Sequence, residues 1–339
     1  MSSKPVISVI GSLNVDFVTL TPRVPAAGET LTATSLAVHP GGKGANQAVS
    51  CGKASFATEA NQDVTVEMVG CVGKGDPYYA SLLKPTLEQS GVGTSAIEEL
   101  EGSQTGTATI LVEENGQNRI LFVPGANFDG MRDSAKAIAA STQPTEPSVL
   151  VMQGEIPADA TFKIIEHFGR SSTQVVLNPA PVYTDGVPAS VLKHVDFLVV
   201  NETECMLLAQ AIPDAKITVK DEEDMSSDEL KSIAATFHQT IGVRNLLVTL
   251  GAKGVFYSTQ AGQQDLVSGL KVPKVVDTTA AGDTFVGYFA AALARHIAKE
   301  GSADGFNIAA ATLRANAAAA LCVQRSGAMQ SIPFGYEVK

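Results

Sequence analysis

From Ala135 onward, short β-branched runs alternate with stretches of helical periodicity, and this alternation restricts the possible architectures more than any other feature. Val149 to Gln153 and Val175 to Leu177 read as strands, with a helix over Ala158 to Phe168 between them. Phe197 to Val200, Leu246 to Leu250 and Gly254 to Ser258 continue the series. Consecutive parallel strands need a crossover, usually a helix, so repeated βαβ units predict an α/β fold. Its parallel-type sheet should be sandwiched between helices. Ligands of such sheets collect beyond the carboxyl ends of the strands. Those positions here carry Glu155, Asn178-Pro-Ala-Pro181, Asn201-Glu-Thr-Glu204 and Thr249-Leu-Gly-Ala-Lys-Gly254. Polar groups converging at one sheet edge predict a pocket there.

A further turn belongs with them. Asp277 to Thr284 reads Asp-Thr-Thr-Ala-Ala-Gly-Asp-Thr, with a strand expected over Gly269 to Val276 before it. After it, Phe285, Tyr288, Phe289, Ala292, Leu293, His296 and Ile297 recur at helical spacing, so a helix should begin near Gly282. Ala280, Ala281 and Gly282 then form a strand-to-helix turn whose backbone N–H groups and helix dipole favour an anion. Asp283 at that turn is either a helix cap or a base, and the turn alone leaves both open.

Val6 to Ile10 reads as a buried strand ending at Gly11. Beyond it, Asn14 and Asp16 share one face if the backbone is extended. An amide beside a carboxylate suits the neighbouring hydroxyls of a sugar, and equally suits a polar turn. Phe17 to Val38 is Thr-rich and broken by Pro22, Pro25 and Gly28, which predicts short strands outside the main sheet. Pro40-Gly-Gly-Lys-Gly-Ala-Asn-Gln-Ala48 follows, where the glycines permit close backbone approach and a helix can start. Lys43 and Asn46 either add a charge and an amide to the pocket or stand as solvated loop residues. This is not a Walker A loop, because Gly44 follows Lys43 where Ser or Thr is needed.

Gly91-Val-Gly-Thr-Ser-Ala96 nominally matches a dinucleotide fingerprint, but it follows the helical stretch Tyr79 to Gln89 instead of a strand, which argues against a dehydrogenase. Thr105 to Glu113 and Arg119 to Val123 read as a hairpin turning at Glu114 to Asn118. Ile308 to Val323 is Ala-rich and helix-forming. Asp221-Glu-Glu-Asp224, inside Pro213 to Asp228, reads as a solvated excursion.

The 339 residues carry a net charge of −11, which provides no basic field for nucleic acid. Cys51, Cys71, Cys205 and Cys322 are scattered without a C-x-x-C pair, as in a reduced intracellular protein. The start shows no apolar signal region, and no stretch reaches membrane-spanning length. A cytoplasmic location is expected, with a nuclear pool allowed. No linker divides the chain, so a single domain over residues 1–339 is expected.

With these residues placed, nearly the whole chain resembles the PfkB-type carbohydrate kinases. The Ala-Ala-Gly-Asp-Thr turn matches the family's C-terminal signature. Gly11-Ser-Leu-Asn-Val-Asp16, Gly41 to Ala48, Asn178 to Pro181, Asn201 to Glu204 and Gly327 to Pro333 resemble its ribose-phosphorylating members. Gly73 to Tyr79 lacks the closing Gly of a family motif, and Ala54 to Asp63 and Pro213 to Asp228 look longer than in typical bacterial relatives.

The resemblance implies ATP-dependent phosphorylation of D-ribose at its 5-hydroxyl. It implies ribose contacts from Asn14, Asp16, Gly42, Lys43, Asn46 and Glu155, Asp283 as general base, and an anion hole from Ala280, Ala281, Gly282 and Asp283. Asn201, Thr249, Gly251, Lys253, Gly254, Gly282 and Asn316 would surround the nucleotide, and Glu204 would organise Mg²⁺ through water. Asp277, Thr279, Cys322, Arg325, Gly327 and Ser331 would hold K⁺, several through backbone carbonyls. Strands near 13–39 and 103–123 would form a β-lid that closes the sugar site and pairs two subunits as a homodimer. A related kinase of deoxyribose, fructose or a nucleoside is the alternative, and a non-catalytic sugar-binding regulator a further one.

Overall fold

The central strands are apolar along their whole length because both faces of the sheet are covered. Val6–Ile10 and Val149–Met152 lie side by side in its middle, in parallel, with Ile7 opposite Val149. Alternation sends Val9, Val149 and Val151 into one core and Ile10, Leu150 and Met152 into another, on opposite faces. This computed structural model describes residues 4–211 and 225–339. Asp221 to Asp224, and most of the excursion read over Pro213 to Asp228, lie outside the described residues.

The sheet has ten strands. From one edge they run Gln264–Ser268, Gly254–Thr259, Asn245–Thr249, Phe197–Asn201, Gln174–Leu177, Val149–Met152, Val6–Ile10, Thr65–Gly73 and Val92–Gly93. Ile97–Leu100 pairs with the far half of Thr65–Gly73. Every pairing is parallel except the two at the Gln264–Ser268 edge. The predicted α/β sandwich is therefore present, and the expected strands between Val149 and Ser258 fall within a residue or so of their observed bounds.

A second, four-stranded sheet stands apart in the order Asn118–Val123, Gly106–Glu113, Asn14–Thr21, Ser35–Gly41. It contains the predicted hairpin and the short strands expected after Phe17. Asn14–Thr21 leaves the end of the central Val6–Ile10 strand after only three residues, so this sheet hangs directly over the carboxyl ends of the main one.

The strand expected over Gly269 to Val276 is not formed. The last strand is Gln264–Ser268, at the sheet edge, and the chain beyond it runs exposed and without a ladder to Thr278. Pro273 has no N–H to contribute, and charged Lys271 and Lys274 flank it. At the start of this segment the Gly269 N–H donates to the Lys253 carbonyl at 3.0 Å, and at its end Val276 and Asp277 donate through their N–H groups to the Val323 carbonyl. The anion turn is thus reached by a free-running segment instead of from a sheet strand. What places it is helix packing. Ala281–Glu300 lies against Lys43–Ala54, where Ser50 Oγ donates to the Thr284 carbonyl at 2.9 Å, and against Ile308–Cys322. Among the described residues, no helix is long and apolar enough to cross a membrane.

Candidate active site

The Lys43–Ala54 helix starts at Gly42, whose φ of 90° is accessible to glycine at little cost and turns the chain sharply off the Ser35–Gly41 strand. This turn brings Lys43, Asn46 and Gln47 to the carboxyl edge of the sheet. Lys43 N–H donates to Glu155 Oε2 at 2.9 Å, and Ser12 Oγ donates to the same oxygen at 2.6 Å. Glu155 follows the Val149–Met152 strand, as expected. Burial pushes its carboxyl up, against the opposing Ser12 and Lys43 donors.

Asn14 and Asp16 stand on the Asn14–Thr21 strand, two residues apart and on one face. Asn14 is buried and its Oδ1 accepts from Asn127 Nδ2 at 2.7 Å. Asn127 also holds the Leu13 N–H at 2.8 Å, so it fixes the whole entry of the strand. Burial, aided by the nearby Glu155 charge, raises Asp16 to about 7. The Lys43 ammonium is held above the usual lysine range by the charge of Asp283, against the effect of its own burial, with a smaller contribution from Glu155.

Asp283 is 6% exposed and sits in the first turn of Ala281–Glu300. Its Oδ2 accepts from Asn46 Nδ2 at 3.0 Å and its Oδ1 from Gln47 Nε2 at 2.9 Å. The preceding Ala280 takes φ 60°, the one positive φ at a non-glycine among the described residues, and the Asp283 side chain makes no capping bond to its own helix. Strain of this kind persists where surrounding structure enforces it. The carboxylate is therefore aimed away from the helix, into a cavity of about 200 Å³. Lys43, Asn178, Glu204, Thr249, Ala281 and Gly282 are among its walls.

Other expected residues fall into two neighbourhoods around this cavity. Asn201 and Glu204 close a capping box on Glu202–Gln210, at 2.9 and 2.7 Å, while Glu204 also faces the cavity, where burial raises its carboxyl. Thr249 ends its strand on the same wall, and Gly251–Lys253 forms the turn after it. Gly254 packs against Val267 and Ser268, whose carbonyls also receive the Asn316 amide at 3.4 and 3.5 Å. Thr249, Gly251, Gly254 and Asn316 are thereby joined through one edge of the sheet. Lys253 instead reaches Glu202, at 3.3 Å.

The second neighbourhood lies under the anion turn. Asp277 accepts from Thr279 N–H and Oγ1, at 2.9 and 2.6 Å, and from Gly327 N–H at 3.0 Å. Cys322 Sγ is 3.0 Å from Ser331 Oγ and donates to the Thr279 carbonyl at 3.7 Å. Five of the six residues expected around a monovalent cation are thus interlinked. The Arg325 side chain turns away to Glu337, at 2.7 Å. Ser12, Gln47, Asn127 and Gln153 join the site although the sequence assigned them no role. Ser12 and Gln47 lie inside the quoted motifs, whereas Asn127 and Gln153 carry no motif signal.

An α/β sheet with a buried carboxylate, an adjoining turn of helix-N-terminal N–H groups and a hydroxyl-matching polar wall defines a phosphotransferase of small polyhydroxylated substrates. The chain belongs to the pfkB family of carbohydrate kinases, whose family model matches residues 4–334. It is 36% identical over 338 residues to a ribokinase of Schizosaccharomyces pombe, covering 98% of this chain and 96% of that one. Among solved structures it is similar to Arabidopsis thaliana ribokinase complexed with ribose and ATP, at 27% identity and a TM-score of 0.79, covering 98% and 97% of the two chains. It is also similar to Cryptococcus neoformans ribokinase in complex with ADP, at 29% identity and a TM-score of 0.78, covering 98% of each.

Proposed function

We propose that this chain transfers the γ-phosphoryl group of ATP to the 5-hydroxyl of D-ribose, with Asp283 as general base. The observation that carries this reading is the setting of Asp283: a buried carboxylate beside the Ala280–Gly282 turn, bonded from the side by the helix that starts in the Gly-Gly-Lys motif. A carboxylate whose only purpose was to cap its helix would bond its own N–H groups. Full-length similarity to ribokinases, one of them solved with ribose and ATP, supports the substrate pair.

Phosphoryl transfer requires alignment of the hydroxyl with the γ-phosphorus and compensation of charge on the transferring oxygens. Asn14, Asp16, Lys43 and Glu155 would hold the sugar hydroxyls. Asn46 Oδ1, buried and without a partner, is an acceptor suited to one more. Asp283 would accept the proton of the 5-hydroxyl as the bond to phosphorus forms. The N–H groups of the Ala280–Asp283 turn would stabilise the negative charge, a preorganised contribution of roughly 3–4 kcal/mol. Thr249, Gly251, Lys253, Gly254, Asn201, Gly282 and Asn316 would position the nucleotide.

Glu204 lines the cavity with Asn178, Asn201 and Thr249, a hard-oxygen set that fits Mg²⁺ retaining its waters. Held there, Mg²⁺ would supply positive charge to offset that of the phosphate oxygens. The Asp277 carboxylate and the Ser331 hydroxyl, with backbone carbonyls nearby, suit K⁺ in the same way. Arg325, its side chain engaged by Glu337, can offer only a carbonyl. The four-stranded sheet would close over the sugar as a lid and pair two subunits.

An ATP-coupled assay over pentoses, hexoses and nucleosides tests the reading. D-ribose should give the highest kcat/KM, because each hydroxyl missing from a competitor leaves a buried polar group unpaired at roughly 1–3 kcal/mol. A tenfold preference for fructose or adenosine would replace ribose as the substrate.

A further inference from the structure

Gln153 is buried just beyond the Val149–Met152 strand, and its Nε2 donates to Gln47 Oε1 at 2.9 Å. Gln47, fully buried in the Lys43–Ala54 helix, passes the pattern on. Its Nε2 donates to Asp283 Oδ1 at 2.9 Å and to Asn178 Oδ1 at 3.0 Å. Asn178 Nδ2 in turn donates to the Val199 carbonyl at 2.9 Å. A backbone carbonyl accepts only, so it fixes which way the Asn178 amide faces, and that orientation requires Gln47 to present its NH₂ to Asn178 and Asp283. Gln47 Oε1 must then point at Gln153, which has to supply an N–H. Every amide orientation in the chain is determined by its neighbours.

Packing alone does not account for Gln153. Its Oε1 is buried with no hydrogen-bond partner and lies against Gly11, where an added Cβ would come within 2.0 Å of it. An apolar side chain of similar length would fill the space without stranding a buried acceptor, which is destabilising. What the glutamine contributes that methionine would not is its N–H toward Gln47.

We propose that Gln153 and Gln47 are positioning residues for phosphoryl transfer, an amide relay that fixes the orientation of the Asp283 carboxylate. The proposal rests on the reading of Asp283 as the base. Gln153 acts only through Gln47. Without its N–H, Gln47 Oε1 loses its donor and the Gln47 side chain is no longer held from that side, so the N–H it gives to Asp283 can shift and draw the carboxylate out of line with the sugar hydroxyl. A small misplacement of a reacting group is costly in rate, whereas ribose is held mainly by other residues.

The test is a double-mutant cycle on the full chain, with kcat, ribose affinity and melting temperature measured for Gln153→Met, Gln47→Met and the pair. Gln153→Met should lower kcat about 5- to 20-fold, with ribose affinity changed less than about threefold. Gln47→Met should lower kcat more, and the pair should be no slower than Gln47→Met alone. Gln47→Glu, which sets a second carboxylate against Asp283, should lower kcat at least about 100-fold. The side-chain NH₂ resonances of Gln47 in ¹⁵N NMR should also shift in Gln153→Met, a readout independent of turnover and available even if the Gln47 variants fold poorly. Multiplicative losses in the pair, an unchanged kcat in Gln153→Met, or unshifted Gln47 resonances would overturn the relay. Asp283→Asn, assayed beside them, separates the two claims. If it keeps its kcat, the base assignment fails; if it loses kcat while Gln153→Met does not, only the relay fails.

Discussion

Asn46 Nδ2 lies 3.0 Å from Asp283 Oδ2, joining the helix that begins in the Gly-Gly-Lys motif to the helix that begins in the Ala-Ala-Gly-Asp turn. The same Asn46 offers an unpartnered buried Oδ1. One side chain therefore faces both the proposed sugar and the proposed base. Asn46→Ala should weaken ribose binding and lower kcat together, each by about tenfold or more, because it removes a substrate acceptor and a donor to the base at once. Steady-state kinetics with directly measured ribose affinity will check this. A change confined to one parameter would separate the two roles.

Asp16 gives the site a pH dependence. Its folded-state pKa of about 7 lies above the ordinary carboxylate value, so between about 4 and 7 the folded chain binds a proton that the unfolded chain has released. Stability from this group is full below the unfolded value and is lost as pH rises through 7. Asp16→Asn, which carries no charge, should therefore gain stability over the parent as pH rises from 5 to 8, by about 1–2 kcal/mol after allowance for solvent at the site. Ribose binding should weaken in the same variant. Denaturant midpoints at both pH values test the sign. A constant difference between variant and parent would mean that Asp16 titrates normally.

The extent to which this arrangement is legible in the sequence follows from where its constraints are local. Val149–Met152 and Phe197–Asn201 are continuous apolar runs because helices cover both faces, and such runs announce themselves. Asn178 follows as the first polar residue past its strand, Asn201 and Thr249 as the polar ends of theirs, and Glu155 as the charged residue three positions beyond Met152. Gly269 to Val276 misleads because β-branched residues around a proline have a strand's composition, yet the segment has no partner beyond the sheet edge. Asn127 and Gln153 escape detection for the opposite reason. Each makes its decisive bond to a residue more than a hundred positions away, Asn127 to Asn14 and Gln153 to Gln47, and neither belongs to a motif that marks that partner.

The interlinked Asp277, Thr279, Cys322, Gly327 and Ser331 predict activation by a monovalent cation. The cation would act by shaping the turn that follows, since Thr279 immediately precedes Ala280. Replacing K⁺ with tetramethylammonium at fixed ionic strength should lower kcat at least several-fold. Intrinsic melting temperature should fall as well, because an ion bound to the folded chain alone stabilises it. Equal rates and equal melting in both salts would remove the cation from the account.

On the four-stranded sheet, Leu36 and Leu121 are 65% and 70% exposed and share one face, apolar surface on a small sheet with two open edges. Pairing of two such sheets would cover it. Light scattering should give a dimer mass, and Leu36→Lys with Leu121→Lys should convert it to monomer with the main fold intact by circular dichroism. A parent chain that stays monomeric across the micromolar range would exclude this pairing.

The central claim is that Asp283 takes the proton of the ribose hydroxyl, and kcat of Asp283→Asn measures it most directly. Asparagine keeps the size and shape of the side chain but is not a base, so kcat should fall by roughly 10²–10⁴. Ribose affinity should change little, because Asn14, Asp16, Lys43 and Glu155 remain in place, and melting should fall modestly, because the asparagine NH₂ faces an amide donor where a carboxylate oxygen accepted. An Asp283→Asn protein that is folded, binds ribose and turns over at near-parent kcat would contradict the claim and leave this carboxylate with a purely structural role.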